Sequence, residues 1–201
     1  MTKRFFDLVV SILGLLLLSP IFAVVAIFIK LDSEGPVFFR QERMGKGGRI
    51  FRIFKFRTMV KDAPRRGAPI TVGQDARVTR VGAILRQYKI DELPQLLNVA
   101  LGHMSLVGPR PELPRYKAHY SGPFNRVLSV RPGITDPASI AFRDESSLLE
   151  DVPDPEEYYQ HAILPEKLRM NLDYLSTASF WHDLQVILRT VRVAAFPQHA
   201  K

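Results

Sequence analysis

Leu8 to Ile29 is a run of 22 residues without a charged side chain. A straight helix of that length is about 33 Å long, close to the roughly 30 Å hydrocarbon core of a bilayer. A cleaved signal peptide is disfavoured, because the run is too long and no small-x-small site precedes the charged block behind it. Two readings stay open. One is a single kinked span. The other is a re-entrant hairpin, because Lys3 and Arg4 flank one end and Lys30 the other, so both ends suit the cytoplasmic side. Ser19-Pro20 sits near the middle, where proline removes a hydrogen bond and clashes with the previous turn. A sharp break there leaves two arms of about 11 residues, each roughly 17 Å, which reach only mid-bilayer. On the residues alone the kinked span is slightly favoured, since spanning helices tolerate proline.

The formal net charge of the 201-residue chain is +8, and its placement is informative. Residues 30–80 hold 13 Lys/Arg against 5 Asp/Glu, so the basic excess follows directly on the apolar segment. Such a block suits anionic headgroups, phosphates or nucleic acid. The chain has no cysteine, which excludes disulfides and thiolate chemistry.

Residues 35–59 predict two strands around a glycine turn at Gly45, Gly47 and Gly48. The GKGG stretch is not a phosphate-loop motif. The aromatic-basic alternation after it fits a strand with one buried and one cationic face at least as well as nucleic-acid binding. Residues 61–76 read as a loop. Val78, Val81, Ile84, Leu85 and Tyr88 have helical spacing. Asp91 is then placed to cap a second helix that has Pro94 in its first turn and Gly102 at its end. Residues 106–116 and 129–137 are proline-stiffened loops carrying Arg110 and Arg131. Residues 150–157 are an acidic approach to a helix. Residues 179–193 have helical periodicity, with Trp181, Arg189 and Arg192 placed for either an interfacial or a core-facing helix.

The adjacent carboxylates Asp91 and Glu92 lie just downstream of Arg77, Arg80, Arg86 and Lys89. The plain reading is a helix cap, worth roughly 1 kcal/mol, with Glu92 favoured by the helix dipole. The sharper reading gives them different tasks, since neighbouring helical positions point about 100° apart. One attacks a phosphate while the other orients a metal or moves a proton. Arginines and Mg²⁺ neutralise such a phosphate, and Asp or Glu supplies hard oxygen ligands. Covalent attack of Asp on phosphorus is known chemistry. The five histidines show no metal-ligand spacing, and there is no serine elbow or dinucleotide fingerprint.

Taken together, KRFFDLVVSILGLLLLSPI, GPVFFRQERMGKGGRIFRIFKFRTM, DARVTRVGAILRQYKIDELPQLLNVALGHMSLVGPRPE and VRPGIT resemble the bacterial sugar transferase family, the monotopic polyprenol-phosphate phosphoglycosyl transferases. The match runs from about Lys3 to Thr135, more weakly beyond. It resembles the small form without extra N-terminal spanning helices. The resemblance implies transfer of a sugar-1-phosphate from a UDP-sugar to undecaprenyl phosphate at the inner face of the cytoplasmic membrane, with Mg²⁺ and a ping-pong route. It implies Asp91 as nucleophile and Glu92 as partner carboxylate, both near the metal. It implies nucleotide or phosphate contacts from Arg110 within Pro109-Arg110-Pro111, and phosphate contacts from Lys55, Arg80, Arg86 and Arg131. It also implies that Ser19-Pro20 breaks a re-entrant helix. Where many members read PGITG followed by a bulky residue and AQ, this chain has Asp136-Pro137 and Ser139, while Arg143 keeps a place where the family often has arginine.

The expected fold is therefore α+β and mostly helical. It has a re-entrant membrane helix over residues 1–31, a small β-hairpin, amphipathic interfacial helices and a single compact catalytic domain over residues 32–201 on the cytoplasmic face. Membrane lipid is an expected partner and nucleic acid is not. The oligomeric state is open, a homodimer being one option. The competing expectations are a membrane-anchored basic binding module without catalysis and a Mg²⁺-dependent UDP-sugar pyrophosphatase.

Overall fold

The structure is a computed structural model that describes residues 2–67, 72–73 and 75–195. The elements that position the site are α1 (Thr2–Asp32), β1 (Phe38–Met44), β2 (Ile50–Phe56), α2 (Arg80–Gln87), α3 (Gln95–Ala100), β3 (Ser105–Val107), β4 (Gly133–Thr135), α4 (Leu164–Thr177) and α5 (Phe180–Ala195). β1 and β2 form the antiparallel hairpin, in register from Phe38–Phe56 to Met44–Ile50. β3 and β4 form a short parallel pair. The expected loop over 61–76 lies partly outside the described residues, and its described part includes the short helix Ala63–Arg66.

α1 is one helix with Pro20 inside it, and Ser19 Oγ donates to the Leu16 carbonyl at 2.8 Å. Only 6 % of its most apolar 18-residue stretch is buried in the protein. Leu13, Leu16, Leu17, Val24, Ile27, Phe28 and Leu31 remain exposed, so this surface is built for an apolar partner other than the protein's own core. The inward stripe does the docking. Near its start, Asp7 is buried and accepts from Ser105 Oγ (2.8 Å) and Leu106 N (3.2 Å). Arg4 donates to the Val99 and Ala100 carbonyls, which are the open end of α3. Near its finish, Arg57 donates to the Ile29 and Ser33 carbonyls, and Asp32 accepts from Val81 N at the start of α2. Both ends of α1 are thus fastened to the same body.

Three apolar clusters hold that body together. Ile29, Val25, Phe56 and Leu85 join the second half of α1 to the hairpin and α2. Ile53, Val99, Met104, Val107 and Val186 join the hairpin, α3, β3 and α5, with Phe6 and Val10 of α1 packed on them. Met44, Tyr116, Tyr159, Leu164 and Leu168 form the third, towards α4. Asn98 locks α3 to the hairpin through its side chain: Oδ1 accepts from Phe54 N and Nδ2 donates to the Arg52 carbonyl, both at 2.8 Å. A buried amide that completes both of its bonds fixes register as well as adding stability.

Candidate active site

Asp91 and Glu92 lie in a 3₁₀ turn, Ile90–Glu92, between α2 and α3. Lys89 enters it in the left-handed region, φ 56°, ψ 21°, a conformation costing a non-glycine residue about 1–2 kcal/mol. The expectation that Asp91 caps the second helix is not met. Pro94 occupies the cap position of α3, no side chain caps either that helix or the turn, and Asp91 is buried instead. With the backbone already turning at Lys89, the Asp91 carboxylate is buried, and among the described residues its Oδ1 has no hydrogen-bond partner.

Glu92 is held on both oxygens. Arg110 donates to Oε1 and, at 2.9 Å, to Oε2, and Lys55 Nζ donates to Oε1 at 2.8 Å. Lys55 arrives from β2 and Arg110 from the loop after β3. The two acids therefore differ. Burial pushes the Asp91 carboxyl above its ordinary range, with Lys55 opposing and Glu92 adding to the rise. Burial also acts on Glu92, but Arg110 and Lys55 together override it and hold the carboxyl well below the usual range. The Glu92 charge raises the Arg110 guanidinium further, whereas burial lowers the Lys55 ammonium.

The Arg110 loop is stiffened from behind. Gly108 N donates to the Thr135 carbonyl and Gly133 N to the Pro109 carbonyl, both at 3.0 Å. A Cβ on Gly133 would stand 2.2 Å from Gly108 N, so the two backbones cross where only glycine fits. Pro109 and Pro111 are buried, and the Pro111 carbonyl accepts from Arg43 at 3.1 Å. Asp136 takes the backbone N–H of Arg110 on one oxygen and that of Ser139 on the other. It is fully buried, which pushes its carboxyl up. Asp136 thus pins the arginine loop.

Residues 1–197 match the family model described as bacterial sugar transferase. The chain belongs to the bacterial sugar transferase family. It is 40% identical over 195 residues to the UDP-glucose:undecaprenyl-phosphate glucose-1-phosphate transferase of Caulobacter vibrioides, covering 94% of this chain and 68% of that protein. It is 37% identical over 193 residues to the UDP-N-acetylgalactosamine-undecaprenyl-phosphate N-acetylgalactosaminephosphotransferase of Aeromonas hydrophila, covering 94% of this chain and 43% of that protein. The glucose-1-phosphate transferase of Escherichia coli is 36% identical over 193 residues, again 94% of this chain, and 39% of its own length is spanned. The chain thus spans less than half of two of these three family members.

The other positions expected from the sugar transferase pattern fall in different places. Arg86 Nε donates to Thr58 Oγ1 at 2.9 Å, and its charge lies close enough to favour ionised Asp91. Arg80 is exposed at the start of α2. Arg131 is exposed and donates to the Gly102 carbonyl at 2.8 Å. Arg143 pairs with Asp144 at 3.3 Å. Among the described residues, no hydrogen bond or ion pair joins these last three to Asp91 or Glu92. Reading the sequence missed Asn98 and Gln95, both buried, and Arg43, which is half-buried. Asn98 and Gln95 carried a usable signal, as polar residues on the apolar face of a short helix. Arg43 carried none, since an arginine in a hairpin strand usually faces water.

No group of three Asp, Glu or His suited to a metal occurs among the described residues. The unpartnered carboxylate oxygen of Asp91 does fit a hard divalent cation that takes only one or two protein carboxylates and otherwise substrate phosphates. Glu92 would join it only by releasing Arg110 or Lys55.

Proposed function

We propose that this chain transfers a sugar-1-phosphate from a UDP-sugar to undecaprenyl phosphate, releasing UMP, as the first membrane step in building a surface glycan. The observation that carries the reading is a buried carboxylate with an unpaired oxygen, Asp91, set beside a second carboxylate already neutralised by two cations. Attack on a pyrophosphate needs that arrangement. The nucleophile must stay unpaired, while cations stand ready for the charge on the phosphoryl oxygens.

Asp91 forms a bond to the β-phosphorus, and the bond from that phosphorus to the bridging oxygen breaks. UMP leaves with the electron pair. A phosphate oxygen of undecaprenyl phosphate then attacks the same phosphorus and returns Asp91 to its free carboxylate. Glu92, kept ionised, holds Arg110 and Lys55 at the reacting group. Arg86 favours the charged form of Asp91. Arg80, Arg131 and Arg143 belong to the approach of the diphosphate or nucleotide. Asp91, with Glu92 if released, would hold Mg²⁺, which when bound neutralises pyrophosphate charge.

The same reading places residues 1–31 in the cytoplasmic membrane as a segment bent at Ser19-Pro20 that returns to the face it entered. Residues 32–201 form the catalytic domain on the cytoplasmic side. The fastening of both ends of α1 to one body supports this, because a crossing helix would carry its ends to opposite faces.

The test is UMP release from a panel of UDP-sugars by purified protein in detergent with Mg²⁺, with and without undecaprenyl phosphate. Lipid-dependent, multiple-turnover release from one donor is expected. Release that ignores the lipid would make the protein a pyrophosphatase, and absence of release from every donor would leave a binding module.

A further inference from the structure

Gln95 lies four residues after Asp91 and is 2 % exposed. Among the described residues its amide nitrogen, Nε2, has no hydrogen-bond partner, and neither does Asp91 Oδ1. Residues 91, 94, 95, 98 and 99 are all buried, so Asp91 and Gln95 belong to one inward face running through the 3₁₀ turn into α3. That face meets the hairpin: Asn98 bonds to the backbone of Arg52 and Phe54, and Lys55 comes next on the same strand. Natural proteins leave few buried polar atoms unpaired, and here an unpaired acceptor and an unpaired donor stand on the same face. They are not paired with each other. Asn98, the next amide on this face, is fully satisfied, so its surroundings do not by themselves prevent pairing.

A single chemical group satisfies both. A phosphoryl group offers an electrophilic phosphorus to the carboxylate and an anionic oxygen to an amide N–H. We infer that Gln95 is a catalytic residue whose Nε2 donates a hydrogen bond to a non-bridging oxygen of the phosphoryl group while Asp91 attacks its phosphorus. The inference rests on the transferase reading above. Gln95 transfers no proton. It stabilises charge on the oxygen as the bond to Asp91 forms and the bond to UMP breaks, and again as the lipid phosphate attacks. Both atoms are buried, so the inference requires that donor binding uncovers them.

The test is Gln95→Met, which keeps the length and loses the donor. Single-turnover labelling with UDP-sugar carrying β-³²P reports formation of the covalent phosphosugar, and thermal unfolding reports the fold. The labelling rate is expected to fall about 100- to 1,000-fold, the loss typical for one donor to a developing oxyanion. The Tm is expected to equal or exceed that of the wild type, because removing an unpaired buried donor removes its burial penalty. Gln95→Glu, which places a carboxylate against the phosphoryl oxygen, should be at least as slow. Wild-type labelling rates in Gln95→Met overturn the inference alone. A marked drop in Tm also overturns it, since the amide would then have a structural partner. A wild type that forms no label with any donor overturns the transferase reading and this inference with it.

Discussion

Burial acts on Asp91 and Glu92 alike, and their neighbours set them apart. Asp91 has its carboxyl raised above the value of the unfolded chain. Its contribution to stability is fully present below the unfolded value and is lost as pH rises through the folded one. Asp91→Asn should therefore abolish turnover yet raise Tm at pH 7, by roughly 2–4 °C per kcal/mol relieved, with the gain fading near pH 4. Thermal unfolding at the two pH values checks this, and a loss of Tm at pH 7 would contradict it. Glu92 has the opposite sign. Its carboxyl is held well below the unfolded value, so its contribution is present above that value and lost only as pH falls through the folded one. Glu92→Gln strands Arg110 and Lys55 without their shared counter-charge and should cost about 3 kcal/mol in denaturant unfolding, alongside a large loss of turnover. An unimpaired Glu92→Gln enzyme would return Glu92 to the role of a residue that merely favours a helix start.

Elements carry the site by close backbone contact. Gly82 in α2 faces the Thr58 carbonyl, and a Cβ there would stand 2.1 Å from its oxygen. The same carbonyl accepts from Thr79 N, and the Thr58 hydroxyl accepts from Arg86. α2 therefore seats Arg86 only because residue 82 has no side chain. Gly82→Ala should push the helix outward, lower stability by about 1–3 kcal/mol and reduce turnover beyond what the unfolded fraction explains. Activity measured well below the unfolding transition separates the two effects. Much of this level was legible in the sequence. The hairpin, α2, the α3 region with Gly102 behind it and the last helix all show in period and turn residues. The close approach at Gly82 does not, because nothing local distinguishes a glycine that is needed from one that is tolerated.

At the scale of the molecule, α1 is a clamp that leaves a long apolar face exposed. Its first turns hold the end of α3 and the β3 strand, and its last turns hold the start of α2. The Ile90–Glu92 turn lies between those two helices, so α1 braces the candidate site from both sides. α5 begins beside it, with Phe180 edge-on to Phe6 at 5.2 Å and Lys3 paired to Asp183. α5 leaves Trp181, Leu188 and Val191 exposed, as an interfacial helix does. The chain contains no cysteine, so single cysteines report position cleanly. Thr2→Cys and Glu34→Cys should both react with an impermeant maleimide only in inside-out vesicles. Reaction of one from each side would show a crossing helix and remove the re-entrant reading.

The residues by themselves determined an apolar segment long enough to enter a membrane, a basic block behind it, the order of hairpin and helices, and the Asp91-Glu92 pair with its proline-stiffened arginine loop. These are written in composition, period and adjacency, which local physics reads directly. Tertiary structure alone decided that Asp91 is buried with an unpaired oxygen rather than capping a helix, that Glu92 is the one clasped by Arg110 and Lys55, and that Asp136 pins the arginine loop. It also decided that, among the described residues, no hydrogen bond or ion pair joins Arg80, Arg131 or Arg143 to the pair. The reason is that burial and charge pairing depend on which distant segments meet. Lys55, Glu92, Arg110 and Asp136 are far apart along the chain and become one electrostatic unit only when the hairpin, the catalytic turn and the two loops close on each other.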